Sequence, residues 1–140
     1  MWMIYALLSA VSAAGVAILG KLGLQGVDST LATTLRAIVM AVLLIIASLA
    51  LGKLNGISVS GLGSRDWMFI VLAGVAGAAS WFFYFLALKI GQVNGVVVID
   101  RLSVVFVVIL SAIFLGQALT WKTALGVVLM VGGALLVAFA

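Results

Sequence analysis

The chain has 140 residues, of which 67% are hydrophobic and 7% are charged, and its mean hydropathy is +1.50; such a composition excludes a soluble globular domain of this size. It contains no cysteine and no histidine, which excludes disulfides, Cys/His metal sites, thiol catalysis and histidine acid–base chemistry. Seven Lys and Arg against three Asp, without a basic run, argue against nucleic-acid binding.

Five nearly uninterrupted apolar segments follow one another along the chain, at residues 2–23, 31–51, 67–88, 95–115 and 123–140. Each is close to the roughly 20 residues that a helix needs to cross the ~30 Å hydrocarbon core. Barrel strands would alternate apolar and polar residues, whereas these segments contain runs that are apolar on every face. The sequence therefore predicts an all-α integral membrane protein with five transmembrane helices in a single domain, residues 1–140.

Positive charges between the segments are divided almost evenly between the two membrane faces. The amino-terminal face carries Lys53, Arg65 and Lys122; the other carries Lys21 and Lys89, joined by Arg36 and Arg101 if these shallow helix positions are counted. The positive-inside rule sets orientation through such differences. So small a bias predicts dual topology, and a weakly biased single orientation is the alternative.

Three ionisable residues lie inside the predicted spans, where a charge costs several kcal/mol unless it meets a partner, water or the interface. Arg36 lies about a turn and a half into the second segment. Asp100 and Arg101 lie at a similar depth in the fourth, with Ser103 on the helix face of Asp100. These four residues are candidates for a substrate site. The alternative is that both arginines extend to the headgroups and Asp100 neutralises one of them.

Small and aromatic residues share one face of the third segment, namely Gly74, Gly77, Trp81 and Tyr84. Trp81 and Tyr84 are therefore candidates for the wall of a substrate cavity. An aromatic run at 81–85 is equally typical of a lipid-facing or interfacial helix end, so both interpretations stay open.

Three stretches of the chain follow the sequence pattern of a known family. The first comprises residues 21–28 and 31–36, and the second comprises residues 80–89. The third and longest includes residues 99–103 and 114–120 and ends with the glycines at 126, 132 and 133. They resemble the EamA-like proteins of the drug/metabolite transporter superfamily over nearly the whole chain. Two positions depart from the family pattern, which usually has Pro where this chain has Val98 and Glu where it has Gln117. Without that Pro, we expect a straighter fourth helix.

The resemblance implies a transporter and not an enzyme, in which the five-helix unit is half of a ten-helix inverted repeat around a central substrate site. This chain carries one copy of the unit, which implies two oppositely inserted chains. We therefore expect an antiparallel homodimer in the lipid of the cell inner membrane, moving a small metabolite or drug-like molecule by alternating access without a cofactor. The face of Gly126, Met130 and Gly133 is the expected interhelix or dimer contact.

In this hypothesis Arg36 and Arg101 attract an anionic or zwitterionic substrate, and Trp81 and Tyr84 form an apolar or cation-binding wall. Asp100 is the candidate proton carrier. One alternative is a non-transporting half-unit that needs a partner half, or an engineered or reconstructed sequence. A quaternary-cation multidrug exporter is less favoured, because the first segment has no carboxylate.

Overall fold

The computed structural model describes residues 1–53 and 61–140. In this part of the chain six α-helices follow one another: α1 Trp2–Gly23, α2 Ser29–Ala50, α3 Ser64–Ile90, α4 Val93–Asp100, α5 Ser103–Leu115 and α6 Trp121–Ala138. Because α4 and α5 together form one apolar span, the described residues contain five helical segments that are long and apolar enough to cross a membrane. The predicted class, an all-α protein with five spans, is confirmed.

A polar cap starts α2 two residues before the predicted apolar segment. Asp28 Oδ1 accepts hydrogen bonds from the backbone amides of Thr30 and Leu31 at 2.9 and 3.0 Å, which satisfies amides that the first helical turn leaves without partners. The bond from Leu31 is the main reason that the pKa of the Asp28 carboxyl lies below its ordinary value; Thr30 and the charge of Lys89 also lower it. Asp28 is thus a carboxylate at the membrane surface that stabilises the start of a span.

α3 is longer than its apolar segment at both ends. It runs from Ser64 to Ile90, and Asp66 in its first turn accepts a hydrogen bond from the Gly63 amide at 3.1 Å. Its 27 residues extend about 40 Å, more than the ~30 Å hydrocarbon core. The charged residues at its ends therefore reach the two interfaces.

The fourth span is interrupted where α4 ends and α5 begins. The Leu102 amide donates to the Ile99 carbonyl at 2.9 Å, and the Val104 amide donates to the Arg101 carbonyl at 3.1 Å. Both bonds join residues three apart, as in a 3₁₀-helix, whose hydrogen-bond geometry is poorer than that of an α-helix. The fourth span therefore departs from regular α-helical hydrogen bonding after Asp100 although Val98 replaces the family's Pro, and the expectation of a straighter helix stays a prediction.

The chain divides into two compact units, of which unit 1 comprises Met1–Lys21 and Ile90–Ala140. Within it α4 packs against α6, and a Cβ added at Gly95 would lie 3.9 Å from the Ala138 carbonyl oxygen. The start of α4 thus meets the end of α6, as antiparallel neighbouring spans require. Lys21 Nζ donates to the Gly91 carbonyl at 2.8 Å, which ties the end of α1 to the joint before α4.

Unit 2, Leu22–Lys89, contains α2 and α3. Its buried residues lie where α2 begins and α3 ends: Leu24, Ser29, Phe85 and Leu88. At the same end, Lys89 Nζ donates to the Val27 carbonyl at 3.0 Å. The last turn of α3 is therefore level with the joint that precedes α2, which fixes the register between the two helices.

Candidate functional site

A guanidinium group stacked on aromatic rings is the principal polar feature of unit 2. The Arg36 Cζ atom on α2 lies 3.7 Å from the ring centroid of Trp81 and 4.7 Å from that of Phe85, both on α3. Both distances are within the ~6 Å over which a cation is attracted to an aromatic face. Arg36 thus makes cation–π contacts with two rings.

The aromatic rings also contact one another. Trp81 and Tyr84 meet edge to face with centroids 5.6 Å apart, and Tyr84 and Phe85 do so at the same distance. Such edge-to-face pairs are a favoured aromatic geometry. We call Arg36, Trp81, Tyr84 and Phe85 the Arg36 cluster.

Burial separates the aromatic run at 81–85 into two faces. Phe85 is 2% exposed and Trp81 and Tyr84 are half-buried, whereas Phe82 and Phe83 are exposed. Trp81 and Phe85 therefore face Arg36 of α2, Tyr84 packs against both rings, and Phe82 and Phe83 form the face typical of lipid contact.

The Arg36 side chain is directed into the span. Arg36 lies about 10 Å along α2 from Ser29, and Trp81 lies about 13 Å along α3 from Ile90. Since these two helix ends are level, a guanidinium on the Trp81 ring is no closer to the membrane surface than the Arg36 backbone. This geometry differs from the alternative in which Arg36 extends to the headgroups.

The guanidinium lacks the hydrogen-bond acceptors that usually accompany a buried charge. Arg36 Nε and Nη1 are buried and have no hydrogen-bond partner among the described residues. The two acids of unit 2, Asp28 and Asp66, are engaged by backbone amides at helix starts. A buried N–H without an acceptor costs about 1–3 kcal/mol, and a desolvated cation–π contact returns about 2 kcal/mol. The described residues of unit 2 therefore leave hydrogen-bond donors of Arg36 unused, as is typical of groups that bind a ligand.

The remaining predicted site residues lie in unit 1, around the interruption of the fourth span. Asp100 ends α4, Arg101 lies in the turn and Ser103 begins α5; all three are exposed. Asp100 and Arg101 are adjacent but form no ion pair with each other. A charge inside a span is stable only against water, a partner or a headgroup. These side chains are therefore available to groups outside unit 1.

The structure thus brings Arg36, Trp81 and Tyr84 together in one unit, and Asp100, Arg101 and Ser103 together in the other. The similar depth of Arg36, Asp100 and Arg101 in the membrane stays a prediction. Phe85 was not among the predicted site residues. Its signal was the four-residue spacing from Trp81, which places both rings on one helix face.

Comparison with known proteins gives the family. A profile of the EamA-like transporter family matches residues 1–139. A protein of Sinorhizobium sp, described as an uncharacterized transporter in the cobO 3' region, is 39% identical over 137 residues, which cover 98% of this chain and 96% of that relative. No solved structure matches the chain. The chain therefore belongs to the EamA-like transporter family and is a multi-pass membrane transporter, not an enzyme.

Proposed function

We propose that this protein exports or exchanges a small metabolite or drug-like molecule across the cell inner membrane as an antiparallel, dual-topology homodimer. The observation that carries the proposal is the even division of positive charge: Lys53, Arg65 and Lys122 on one face against Lys21 and Lys89 on the other. With five spans and no strong bias, copies inserted in both directions are expected in one membrane.

A relative of similar size supports a unit that functions in pairs. The aligned residues make up 96% of the Sinorhizobium protein, so that relative too is about as long as one five-helix unit. Two such units in opposite orientation reproduce the inverted repeats that surround the substrate site in many transporters. The site would then lie between the two copies.

Unit 1 offers surfaces for the second copy. A Cβ added at Gly126 or Gly133 on α6 meets no atom of its own unit within 4 Å, and Met130 between them is 41% exposed. Small residues let helix backbones approach closely in lipid, where association depends on packing. We propose this face of α6 as a dimer contact, and Asp100, Arg101 and Ser103 as groups that line the transport route.

Asp66 lies in the first turn of α3, so Asp100 is the one carboxylate beyond a first helical turn in the described spans, and we propose it as the proton carrier. Replacing Asp100 with Asn keeps the size and polarity of the side chain but removes the proton site. We expect D100N to bind substrate and to lose the pH dependence of its transport rate in proteoliposomes. Unchanged pH dependence would remove Asp100 from the coupling mechanism.

A pair of topology-biased variants tests the antiparallel dimer without knowledge of the substrate. The first variant combines Gln117→Lys with Ala118→Lys and Leu119→Lys. It adds three charges to the amino-terminal face, making six charges against two, or six against four if Arg36 and Arg101 are counted. The second variant combines Gln92→Lys with Lys53→Gln and Lys122→Gln. It leaves one positive charge on the amino-terminal face against three on the opposite face. Each variant is expected to insert in one direction. Coexpressed with different tags, the two should co-purify with each other, and neither should co-purify with a differently tagged copy of itself.

The same-orientation controls decide between assemblies. If each biased variant pairs with itself as well as the parent chain does, the dimer is parallel and the proposal is wrong. If neither variant pairs with itself or with the other, while the parent also runs as a monomer, the half-unit alternative gains support. Selective pairing of the opposite variants is expected only for the antiparallel homodimer.

A further inference from the structure

Building on the proposed transport function, we infer that the Arg36 cluster binds the oxyanion group of an anionic substrate, a carboxylate or a phosphate, and does not form a cation site. The inference joins three observations on the described part of unit 2: the guanidinium lies over the Trp81 ring, the carboxylates of Asp28 and Asp66 are engaged by backbone amides, and the buried guanidinium nitrogens lack acceptors. The sequence allowed an anionic or zwitterionic substrate, or a cation bound at the aromatic wall. The inference narrows these classes to anions.

The aromatic face is already occupied by a cation. At 3.7 Å from the Trp81 centroid, the Arg36 guanidinium is at stacking distance, and Phe85 at 4.7 Å is contacted by the same group. A cationic substrate at this face would have to displace Arg36 and would be repelled by its charge. The quaternary-cation hypothesis is therefore disfavoured at this cluster.

An oxyanion supplies what the guanidinium lacks. Ionised carboxylates and phosphates are pure hydrogen-bond acceptors, and arginine has only donors. Nε and Nη1 are buried, whereas Arg36 as a whole is half-buried, so a ligand would approach through the part of the side chain that is not enclosed. We expect the bound oxyanion to accept hydrogen bonds from two guanidinium nitrogens, in the fork that guanidinium groups form with carboxylates.

The aromatic residues would act as positioning residues. Trp81 and Phe85 hold the guanidinium plane, and Tyr84 packs edge to face against both rings. A lysine ammonium keeps the charge but has neither the planar fork nor the stacking surface. Substrate recognition is therefore expected to require arginine at position 36 and not just a positive charge.

Trp81 provides a direct signal for ligand binding. The chain has four tryptophans, so replacing Trp2, Trp67 and Trp121 with Phe leaves Trp81 as the single emitter. The protein would be titrated in dodecyl maltoside, which carries no charge, with phenylacetate, phenyl phosphate, phenylacetamide and phenethylammonium. We expect saturable changes in Trp81 emission with at least one of the two anions, and none with the amide or the cation.

Matched variants separate recognition from folding. In the single-tryptophan background, Arg36→Lys is expected to weaken anion binding by tenfold or more, and Arg36→Gln to abolish it, with unchanged helical circular dichroism. Arg65→Lys is the control, since Arg65 lies at the start of α3 and contacts Phe69 at 5.8 Å. Saturable binding of phenethylammonium that persists or strengthens in Arg36→Gln would overturn the inference, as would the absence of binding by both anions to the folded parent.

Lipid headgroups carry the same oxyanion chemistry, and the titration distinguishes them from a soluble substrate. If phosphatidylglycerol added to the micelles changes Trp81 emission while neither soluble anion does, the cluster is a lipid site and the substrate assignment is wrong. The result is independent of topology. Anion binding by a protein of single orientation would support this inference while contradicting the homodimer, and a dual-topology protein without anion binding would do the reverse.

Discussion

Charged side chains inside the spans have different surroundings in unit 2 and in unit 1. Arg36 is stacked on Trp81 and Phe85 within regular helices, whereas Asp100 and Arg101 are exposed at an interruption between two helices. The first charge is stabilised by rings of its own unit, and the second pair depends on groups outside its unit. A transporter can combine both: a preorganised recognition group and a segment able to change its hydrogen bonding.

The largest expected effect is the loss of stability when Phe85, whose ring contacts the Arg36 guanidinium, is replaced. Phe85→Ala removes a side chain that is 2% exposed, and Phe83→Ala removes one that is 66% exposed. In lipid, the free energy of unfolding falls mainly because the residues around the removed ring lose packing contacts. We expect a loss of about 2 kcal/mol for Phe85→Ala and near zero for Phe83→Ala. Denaturation of the purified protein in mixed micelles measures both. Equal losses would mean that the Arg36 cluster is not a packed core.

The interruption of the fourth span is expected to exchange backbone hydrogens readily. The amides of Leu102, Val104 and Val105 donate to carbonyls three residues back, in bonds weaker than those of the α-helix. We expect hydrogen–deuterium exchange at least about tenfold faster there than in the middle of α2. Equal protection in the two segments would argue against the contrast between the units.

Removing the charge of the Arg36 cluster is expected to stabilise the protein. Arg36→Met loses cation–π contacts worth about 2 kcal/mol but relieves the cost of two buried N–H groups, each about 1–3 kcal/mol. We expect a net gain of about 1 kcal/mol in the free energy of unfolding, together with loss of anion binding. A clear loss of stability would instead identify Arg36 as a structural residue.

The smallest effect is expected at the membrane surface, where Asp28 caps α2. Asn accepts the same bonds, so Asp28→Asn should keep the cap and Asp28→Ala should lose it. The pKa of Asp28 is lowered in the native protein, so its charge contributes stability above the ordinary carboxyl pKa of about 4. That contribution is lost as pH falls through the lowered pKa. Thermal midpoints against pH should show this acid-side fall in the parent and not in Asp28→Asn.

Hydropathy was sufficient to predict the five spans, because a bilayer admits few alternatives to long apolar helices. It could not locate the starts of α2 and α3, since Ser29 and Ser64 are polar residues whose helical state depends on the neighbouring carboxylates of Asp28 and Asp66. Nor did it show the break after Asp100, because no Pro or Gly marks the turn. Hydrogen bonding rather than composition decides these details.

The candidate site was predicted in its parts but not in its pairing. Arg36, Trp81 and Tyr84 were each candidates, but the contact between Arg36 and Trp81 was not predicted. The contact of Arg36 with Trp81 depends on the register between α2 and α3, which the joint at Val27 and Lys89 fixes. Spacing within one segment shows which residues share a helix face, but not which residue of the neighbouring helix meets that face. The cation–π contact between Arg36 and Trp81 therefore had no signal in the sequence.

Labelling of the termini tests the central proposal most directly. The chain has no cysteine, so single cysteines at Met3 and Phe139 can be labelled without background by an impermeant maleimide in oriented membrane vesicles. We expect each terminus to react in part from each face, because copies in both orientations share the membrane. Reaction of the two termini exclusively from opposite faces would establish one orientation and would contradict the antiparallel homodimer.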